Sequence, residues 1–525
     1  MNKVHILDCT LRDGGYCNQW EFGEDNIRKI IKSLIEANID IIECGFLTQD
    51  IIYNSDKTKY KTLKELSSVL PQNREGKMFV AMINYGEFDI EKLPEYDGSS
   101  VEGIRVAFHK KDYLEALDYC EKIKNKGYKV FIQAMVSLSY TDVEFLNMIE
   151  LVNKINPYAF YIVDSFGMMK RKSLIRLFYL IENNLEEDIW IGFHSHNNLQ
   201  LAYSNAQTLI EAQTSRNLII DSSIFGMGRG AGNLNTELFV EYLNENINAK
   251  YIIKPLLNVI DEILYDFYQK NYWGYSLPNY LSAVHCSHPN YADFLKQKNT
   301  LTVQAMDDIF SMISMEKRGV YDEAYIQELY LKYMTSNKIS SIREYELNKL
   351  CKGKKILLIA PGKSSVDECE KIAKFSEQED VITVSINFDY LMCKTDFIFV
   401  SNLRRFRNLP EEKYRKCIVT SNISAEGVYL KTSYNDLLLQ YDLIRDNAGL
   451  MAVKFFMNLD VASIYLAGFD GYSYEVKQNY AFEKMEIIVK KAQLDAINEC
   501  MLDILENYKK QINISFLTDS RYIKF

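Results

Sequence analysis

The sequence Leu7-Asp8-Cys9-Thr10-Leu11-Arg12-Asp13-Gly14-Gly15 closes the first apolar run of the chain with an arginine beside an aspartate and two glycines. The run at residues 4–7 predicts a short buried strand, and the glycines allow the backbone to turn tightly and approach a ligand. After such a strand, the aspartate can hold a divalent metal while the arginine stabilises a developing oxyanion. An ordinary surface ion pair is the alternative interpretation.

A second polar motif, Gly192-Phe193-His194-Ser195-His196-Asn197-Asn198, follows another apolar run. On a strand, residues i and i+2 point to the same face, so His194 and His196 can present two imidazoles to one ion. Together with Asp13 they form a two-histidine, one-carboxylate set that leaves positions open for substrate. The alternative is a pair of structural histidines held by hydrogen bonds.

The composition predicts a soluble chain of two or three domains, with 525 residues, 47% hydrophobic and 25% charged. A net charge of −10 argues against nucleic-acid partners and anionic membranes. No uninterrupted apolar stretch approaches the ~18 residues of a membrane span, and the early strand leaves no room for a signal peptide. The 10 cysteines are scattered without a Cys-x-x-Cys pair, which indicates reduced thiols and a cytoplasmic protein.

Short apolar runs alternate with helix-period segments over residues 1–244. This alternation predicts a parallel sheet, and eight such units in this length favour a (β/α)8 TIM barrel. The runs lie at residues 4–7, 39–43, 78–83, 103–108, 130–136, 159–163, 190–193 and 218–224.

Polar residues cluster where these predicted strands end. The carboxyl ends of barrel strands share one rim, which is where barrel enzymes place their active sites. We therefore predict an active site built from Arg12, Asp13, Glu43, His109, Gln133, Ser137, Asp164, Ser165, His194 and His196.

A glycine-rich loop follows the eighth predicted strand. The sequence Gly226-Met227-Gly228-Arg229-Gly230-Ala231-Gly232-Asn233 can cradle a phosphate or close over the metal, and a plain barrel-closing loop is the alternative. It is not a P-loop, because no Lys-Ser/Thr pair follows.

As an ordered set, these motifs resemble the DRE-TIM metallolyases, which include 3-hydroxy-3-methylglutaryl-CoA lyase, isopropylmalate and homocitrate synthases, and 4-hydroxy-2-oxovalerate aldolase. The resemblance covers residues 1 to about 340 and is nearest to the aldolase branch, whose fourth strand is similar to Arg105-Val106-Ala107-Phe108-His109. The motifs that carry it are Thr10-Leu11-Arg12-Asp13-Gly14, Glu43, Val163-Asp164-Ser165-Phe166-Gly167, His194-Ser195-His196-Asn197-Asn198 and the glycine-rich loop.

The resemblance implies a role for each matching residue. Asp13, His194 and His196 would bind a divalent metal, Mn2+ or Mg2+, and Asn233 would be a further ligand or a loop anchor. Arg12 would stabilise a pyruvate enolate and Glu43 would orient the site. Ser165 would contact the substrate, and Gln133, from its place on the predicted rim, is a further candidate substrate contact.

The general base is left open by the sequence. The hydroxyoxovalerate aldolases carry a histidine base three residues after the metal aspartate, where this chain has Tyr16. Tyr16 needs a strongly lowered pKa or a proton relay to act, and His109 or a metal-bound water is the alternative. The Gly-Glu-Gln of the synthase branch is absent, which argues against condensation with acetyl-CoA.

Residues 245–345 have a helical period, and we predict that this extension packs on the barrel. Within it, His285 and His288 are spaced for a second metal site on a helix. A loop beside the barrel mouth is the favoured alternative, because Pro289 follows at once.

Residues 354–525 open with a strand, a glycine turn and a helix, which predicts a Rossmann-like α/β domain. The sequence Asn447-Ala448-Gly449, a helix and then Ile464-Tyr465-Leu466-Ala467-Gly468-Phe469-Asp470 resembles the Rossmann-like domain of bacterial sialyltransferases and 6-hydroxymethylpterin diphosphokinase-like proteins. That resemblance implies a ligand site, and a structural or oligomerising role is the alternative. The candidate ligand residues are Gly362, Lys363, Ser364, Asn387, Asn402 and Asp470.

We predict a metal-dependent aldolase that joins or cleaves pyruvate enolate and an aldehyde, and that forms a homo-oligomer without nucleic-acid or membrane partners. The fused domain suggests an aldehyde carrying a sugar, phosphate or nucleotide in surface-polysaccharide synthesis, a hypothesis by analogy. The alternatives are an acyl-CoA lyase or Claisen-type synthase, and a non-catalytic binding or scaffold protein.

Overall fold

The computed structural model describes residues 4–212, 214–298, 301–334, 341–475, 479–482, 485 and 493–524. The chain divides into two compact units. The first holds the residues up to Phe294 together with Ser314–Tyr321, and the second holds Leu295–Ile313 and the residues from Asp322 onward. The segment predicted as a helical extension, 245–345, is therefore shared between the two units.

A closed parallel barrel forms the core of the first unit. Its sheet runs β1-β9-β8-β7-β6-β5-β4-β2-β3, and pairing of β1 with β2 closes a ring of eight strands that leaves only β3 outside. The strands are β1 (Val4–Asp8), β2 (Ile41–Leu47), β3 (Lys59–Tyr60), β4 (Met78–Asn84), β5 (Gly103–Phe108), β6 (Lys129–Ala134), β7 (Ala159–Asp164), β8 (Trp190–Ser195) and β9 (Leu218–Ser222).

The strand runs predicted from the sequence are all present, and the second strand is longer than expected. It continues beyond Glu43 through a register shift between Glu43 and Phe46. Gly45 adopts φ +137° there, and a Cβ on it would lie 2.1 Å from the carbonyl oxygen of Thr58. Glycine is needed for this close approach, and the bulge carries the strand past the position where the apolar run ends.

Apolar side chains fill the lower barrel interior because alternate residues of each strand point inward. Gly192 makes room for the ring of Tyr161, since a Cβ there would lie 2.2 Å from that ring. The buried interior cluster consists of Leu7, Cys9, Ile41, Val80, Phe131, Ala159, Tyr161, Val163 and Ile219.

Amphipathic helices cover the outside of the barrel. In α2, residues Ile27, Ile30, Ile31 and Leu34 are buried at helical spacing, and at the start of α5 Thr141 forms a capping box. The helices are α1 (Gly15–Asn18), α2 (Glu24–Glu36), α3 (Leu63–Ser67), α4 (Tyr113–Asn125), α5 (Asp142–Ile155), α6 (Arg171–Glu182), α7 (Ala202–Ile210) and α8 (Thr236–Asn246).

Further helices follow the barrel, and a π-helical turn at Ile260–Leu264 joins the first two of them. Tyr251, Leu256 and Trp273 from this region are buried in the core cluster of the barrel. The helices are α9 (Lys254–Val259), α10 (Tyr265–Lys270), α11 (Leu277–Val284), α12 (Pro289–Gln297), α13 (Val303–Met312), α14 (Glu323–Met334) and α15 (Ser341–Cys351).

The second unit is built on another parallel sheet, of seven strands in the order β14-β13-β12-β11-β10-β15-β16. The chain order reverses at β10, which lies between β11 and β15, and such a switch point is where open parallel sheets bind ligands. The strands are β10 (Lys355–Ile359), β11 (Val381–Ile386), β12 (Phe397–Val400), β13 (Cys417–Thr420), β14 (Leu430–Thr432), β15 (Ser463–Ala467) and β16 (Ile514–Phe516). The helices are α16 (Ser364–Asp367), α17 (Cys369–Ser376), α18 (Leu403–Arg407), α19 (Tyr434–Leu437), α20 (Ala448–Met457) and α21 (Leu494–Lys509).

The predicted fold class, a TIM barrel followed by a second parallel α/β sheet, is confirmed. The proposed likeness of the second unit to particular Rossmann-like families stays a prediction. Within the described residues, no helix combines the length and the apolar character that crossing a membrane requires.

Candidate metal centre

Three predicted ligands meet at the carboxyl rim of the barrel. Asp13 lies in the loop after β1, His194 near the end of β8 and His196 just beyond it, and one ligand atom from each lies within 4.8 Å of the others. All three residues are buried. The turn that places Asp13 requires Gly14, because a Cβ there would lie 2.3 Å from the carbonyl oxygen of Thr10.

The unpaired atoms of this cluster fit a divalent cation. His194 Nδ1 lies 3.0 Å from Asp221 Oδ2, which leaves Nε2 free to bind a metal. His196 Nδ1 lies 3.8 Å from Asp13 Oδ2, and it is buried without a hydrogen-bond partner. The Oδ1 atom of Asn233 is also buried and unpartnered, while its Nδ2 donates to Asp13 Oδ2 at 2.8 Å. A cation would satisfy these atoms together.

Protonation favours metal binding as well. Burial lowers the pKa of His196 to about 3, so its ring is neutral at pH 7 and has a lone pair to donate. Burial acts to raise the pKa of Asp13, but the neighbouring His196 and Arg12 lower it by more. The cluster therefore offers an ionised carboxylate and a neutral imidazole at neutral pH.

Arg12 is held beside the cluster by two carboxylates. Its Nε donates to Glu43 Oε2 at 2.9 Å, and another guanidinium nitrogen lies 2.5 Å from Asp13 Oδ1. Arg12 and Glu43 are both buried, and their carboxylate–guanidinium contacts fix the direction of the positive charge. The structure thus brings together the arginine, aspartate and glutamate that the sequence motifs single out.

Arg105 and Asp221 extend this arrangement, and the sequence analysis gave neither a role. Arg105 is fully buried, lies 2.8 Å from Glu43 Oε2, also pairs with Asp221, and stacks 5.0 Å from the ring centroid of Tyr161. Burial acts to raise the pKa of Asp221, but Arg105 and His194 lower it overall. A charge inside an otherwise apolar barrel strand is costly unless paired, and that signal was available in the sequence.

The resulting chain of buried charged and polar groups links two metal ligands through the barrel interior. It runs through direct hydrogen bonds and ion pairs and consists of Asp13, Arg12, Glu43, Arg105, Asp221 and His194.

The glycine-rich loop packs against this centre. A Cβ on Gly228 would lie 2.2 Å from Asn233 Nδ2 and 2.7 Å from Asp13 Oδ2, so only glycine allows the approach. Asn198 Oδ1 accepts from the amide of Ala231 at 2.7 Å, which ties the loop to the chain after β8. Of the predicted roles, closure over the metal cluster is the one that these contacts favour.

The two predicted substrate contacts lie at the carboxyl ends of the adjacent strands β6 and β7. Gln133 is 2% exposed near the end of β6, and its Nε2 has no hydrogen-bond partner. Ser165 follows β7, and its Oγ accepts from the amide of Val136 at 2.9 Å. Val136 has φ 51°, a strained conformation for a β-branched residue and one that often accompanies a functional site.

The predicted base candidates differ in their surroundings. The Tyr16 ring contacts Trp20 with a centroid separation of 4.7 Å. Although part of this ring is exposed, desolvation raises the pKa of Tyr16, the direction opposite to that which a base requires. His109 is half-buried just after β5, and its burial lowers its pKa. A neutral His109 is able to accept a proton.

His288 also lies at the barrel mouth. Its ring centroid is 5.6 Å from that of Phe166, and its Nδ1 accepts from the amide of Asn290 at 3.2 Å. His285 follows α11 and His288 precedes α12, so the pair does not share one helix. Within the described part of the chain, His/Cys/Asp/Glu clusters suited to a metal are limited to the Asp13, His194 and His196 group.

In the second unit, three of the predicted ligand residues come together at the switch point. The backbone amide of Ser364 donates to Asp470 at 2.8 Å, and its hydroxyl bonds to Asp470 and, at 2.8 Å, to Thr518. Gly362 packs so closely that a Cβ would lie 2.2 Å from the carbonyl oxygen of Gly468.

The other predicted residues of that unit are placed differently. Lys363 is exposed beside the Ser364 turn. Asn387 accepts from the amide of Ser401 at 3.1 Å, and Asn402 caps α18 by accepting from the amide of Arg404 at 2.9 Å. Both asparagines therefore hold the backbone at the ends of β11 and β12.

Comparisons with known proteins find similarity to the barrel part of the chain. A family model described as HMGL-like matches residues 106–260. The chain is 27% identical over 271 residues to a 4-hydroxy-2-oxovalerate aldolase of Geobacillus genomosp. 3, covering 49% of this chain and 78% of the relative. It is 25% identical over 246 residues to the oxaloacetate decarboxylase of Mycobacterium tuberculosis, covering 45% and 69%. The HMG-CoA lyase structure from Brucella melitensis matches with a TM-score of 0.40 at 14% identity, covering 49% of this chain and 96% of the lyase.

Proposed function

We propose that the barrel unit is a divalent-metal-dependent carbon–carbon lyase of the aldolase type, which joins or cleaves a pyruvate enolate and an aldehyde. The observation that carries the proposal is the buried Asp13, His194 and His196 cluster with the guanidinium of Arg12 fixed beside it. Mn2+ or Mg2+ is the proposed ion, held by these three side chains with Asn233 as a further ligand.

The chemistry follows from what the side chains present. A divalent cation at the cluster supplies Lewis-acid polarisation of a carbonyl oxygen. Arg12 adds a positive charge that Glu43 and Asp13 hold in place, so no reorganisation is needed when negative charge develops on the substrate. Gln133 offers an unpartnered amide N–H, and Ser165 offers a hydroxyl whose proton is free to donate.

The names of the relatives support a 2-oxo acid as substrate. One relative is named for 4-hydroxy-2-oxovalerate and the other for oxaloacetate, and both compounds are 2-oxo acids. Breaking the bond between C3 and C4 of a 2-oxo acid leaves a carbanion that the adjacent ketone delocalises as an enolate. A site that stabilises one enolate therefore suits both reactions.

The proposal also includes a general base. His109 is the preferred base, because its burial favours the neutral ring, whereas the raised pKa of Tyr16 suits a proton donor. The ligand site of the second unit, the homo-oligomer, the cytoplasmic location and the role in polysaccharide synthesis stay predictions. An acyl-CoA lyase with the same metal centre is the alternative, and a scaffold role is disfavoured by the buried unpartnered ligand atoms.

Deuterium exchange at the pyruvate methyl group, followed by NMR, tests the proposal without knowledge of the aldehyde. We expect exchange with Mg2+ and none with EDTA. The Arg12→Met variant should slow exchange by about 100- to 1,000-fold, the usual effect of removing one oxyanion donor. Arg28→Met, which removes an exposed arginine paired with Glu24, is the matched control and should match the wild type.

The absence of exchange in metal-loaded protein would reject pyruvate as the donor. Turnover of an acyl-CoA by the same sample would then select the alternative lyase.

A further inference from the structure

Arg229 is presented at the barrel mouth by the glycine-rich loop. Its carbonyl oxygen accepts from the amide of Gly232 at 3.1 Å, which closes a tight turn, and Gly230 and Gly232 adopt φ +68° and +84°. Gly228, immediately before it, packs against Asp13. The base of the Arg229 side chain is therefore fixed next to the metal cluster.

Two contacts direct the guanidinium of Arg229. Its NH2 group donates to the carbonyl oxygen of Ser165 at 3.1 Å, and its central carbon lies 5.3 Å from the centroid of the Tyr16 ring. Tyr16 follows β1 and Ser165 follows β7, and the strands between them in the sheet are β9 and β8. The guanidinium thus connects the segment after β1 with the loop after β7. Between these two strands lie β8, which leads to the histidines, and β9, which leads to the glycine-rich loop.

Among the described residues, Arg229 makes no direct ion pair with a carboxylate, in contrast to Arg12 and Arg105. Arg12 pairs with Asp13 and Glu43, and Arg105 pairs with Glu43 and Asp221. The Nε of Arg229 is buried and has no hydrogen-bond acceptor. A buried donor of this kind costs free energy unless something accepts from it.

We infer that Arg229 binds an anionic group, a carboxylate or a phosphate, on the aldehyde half of the substrate. This inference rests on the proposed function, in which the metal cluster and Arg12 take the pyruvate half. A guanidinium matches carboxylate and phosphate oxygens with two parallel N–H donors, and its Nε–H belongs to that fork. Stacking on Tyr16 leaves the edge of the guanidinium free for such a pair.

The test compares charged and neutral aldehydes as partners of pyruvate in the full-length, metal-loaded protein. The pairs are succinic semialdehyde with butanal, and glyceraldehyde 3-phosphate with glyceraldehyde. In the wild type, kcat/KM should be higher for the charged member of at least one pair, and the preferred pair distinguishes carboxylate from phosphate. In Arg229→Met the charged-to-neutral ratio should fall by about 10- to 100-fold, the loss of a charged hydrogen bond.

Two further variants sharpen this result. Arg229→Lys keeps the positive charge but lacks the two parallel N–H donors of a guanidinium. It should therefore restore part of the charged-to-neutral ratio of kcat/KM. Arg176→Met removes an exposed arginine of α6 and should leave the ratio unchanged.

Several outcomes would overturn the inference. An equal fall for charged and neutral aldehydes would do so, and so would a rise in the KM for pyruvate that accounts for the whole loss. If the wild type shows neither pyruvate exchange nor turnover, the proposed function fails. The inference then depends on calorimetric titration with succinate and inorganic phosphate, where equal binding by the wild type and Arg229→Met would reject it.

Discussion

Both units of the protein end a set of parallel strands in polar loops, but the two edges use their polar groups in different ways. At the barrel rim, several buried or partly buried groups keep an atom without a hydrogen-bond partner, among them His196 Nδ1, Asn233 Oδ1, Gln133 Nε2 and Arg229 Nε. At the switch point of the second sheet, the predicted ligand groups bond to one another or to the backbone. Ser364, Asp470 and Thr518 form a closed set, and Asn402 caps a helix.

The exceptions among the described residues of the second unit are the hydroxyls of Ser365 and Ser401 and the Nε of Arg445, which are buried without a hydrogen-bond partner. The two hydroxyls carry no charge, and the guanidinium of Arg445 already pairs with Asp442 through another nitrogen, so these atoms cost less than an unpaired charge would. The carboxyl edge of a parallel sheet therefore indicates where a ligand can bind. Buried polar atoms without a partner indicate which of the two edges has groups available to bind one.

The largest expected effect comes from removing a ligand at the barrel rim. Asp13→Asn replaces an ionised carboxylate by a neutral amide, so Mn2+ affinity should fall by more than about 100-fold, beyond the usual effect of an outer-shell partner. Electron paramagnetic resonance of free Mn2+ measures this affinity directly. Asp8→Asn alters a buried aspartate on β1 that bonds to Thr236, and its Mn2+ affinity should equal that of the wild type. Equal losses in the two variants would show that the effect is structural.

A smaller loss of Mn2+ affinity should follow from a substitution in the buried chain of charged and polar groups. Asp221→Asn keeps the shape of the side chain but removes the charge that orients His194 through Nδ1. Outer-shell changes of this kind lower metal affinity by about 10- to 100-fold, and we expect a loss in that range. The same Mn2+ titration measures it, with circular dichroism as the check on folding. An unchanged affinity in folded protein would show that the ring is oriented by packing alone.

The smallest effect is expected at the closed edge of the second sheet. Asp470→Asn weakens the bonds to Ser364, and the unfolding free energy of the second unit should fall by about 1 kcal/mol. Urea unfolding of the full chain measures this loss, and Asp436→Asn, an exposed aspartate of α19, is the control that should show none.

The same variant can break the contrast between the two edges. The carboxylate of Asp470 accepts from the amide of Ser364, the donor for which a phosphate would have to compete. Asp470→Asn removes the negative charge from this position. If Asp470→Asn gains affinity for pyrophosphate or a nucleoside diphosphate, the second edge is a ligand site that its own aspartate blocks. No gain would support a structural role for these residues.

The barrel strands could be predicted because each is a short apolar run followed by polar residues, and local burial decides that pattern. The strands β14 and β16 have only three residues each and gave no separate signal. The bulge at Gly45 was missed because it depends on the approach of Thr58 from a neighbouring loop. Such long-range contacts leave no local period in the sequence.

By itself the sequence determined the alternation of strands and helices and the polar residues in the strands or directly after them, including Asp13, His194, His196, Arg12 and Glu43. Only the tertiary structure decided which charges pair. Arg105 and Asp221 lie 116 residues apart in sequence, yet they share an ion pair in the barrel interior. Arg229, by contrast, makes no direct ion pair with a carboxylate among the described residues. The physical reason is that pairing depends on distances of a few ångströms between separate strands, and these distances exist only once the barrel has closed.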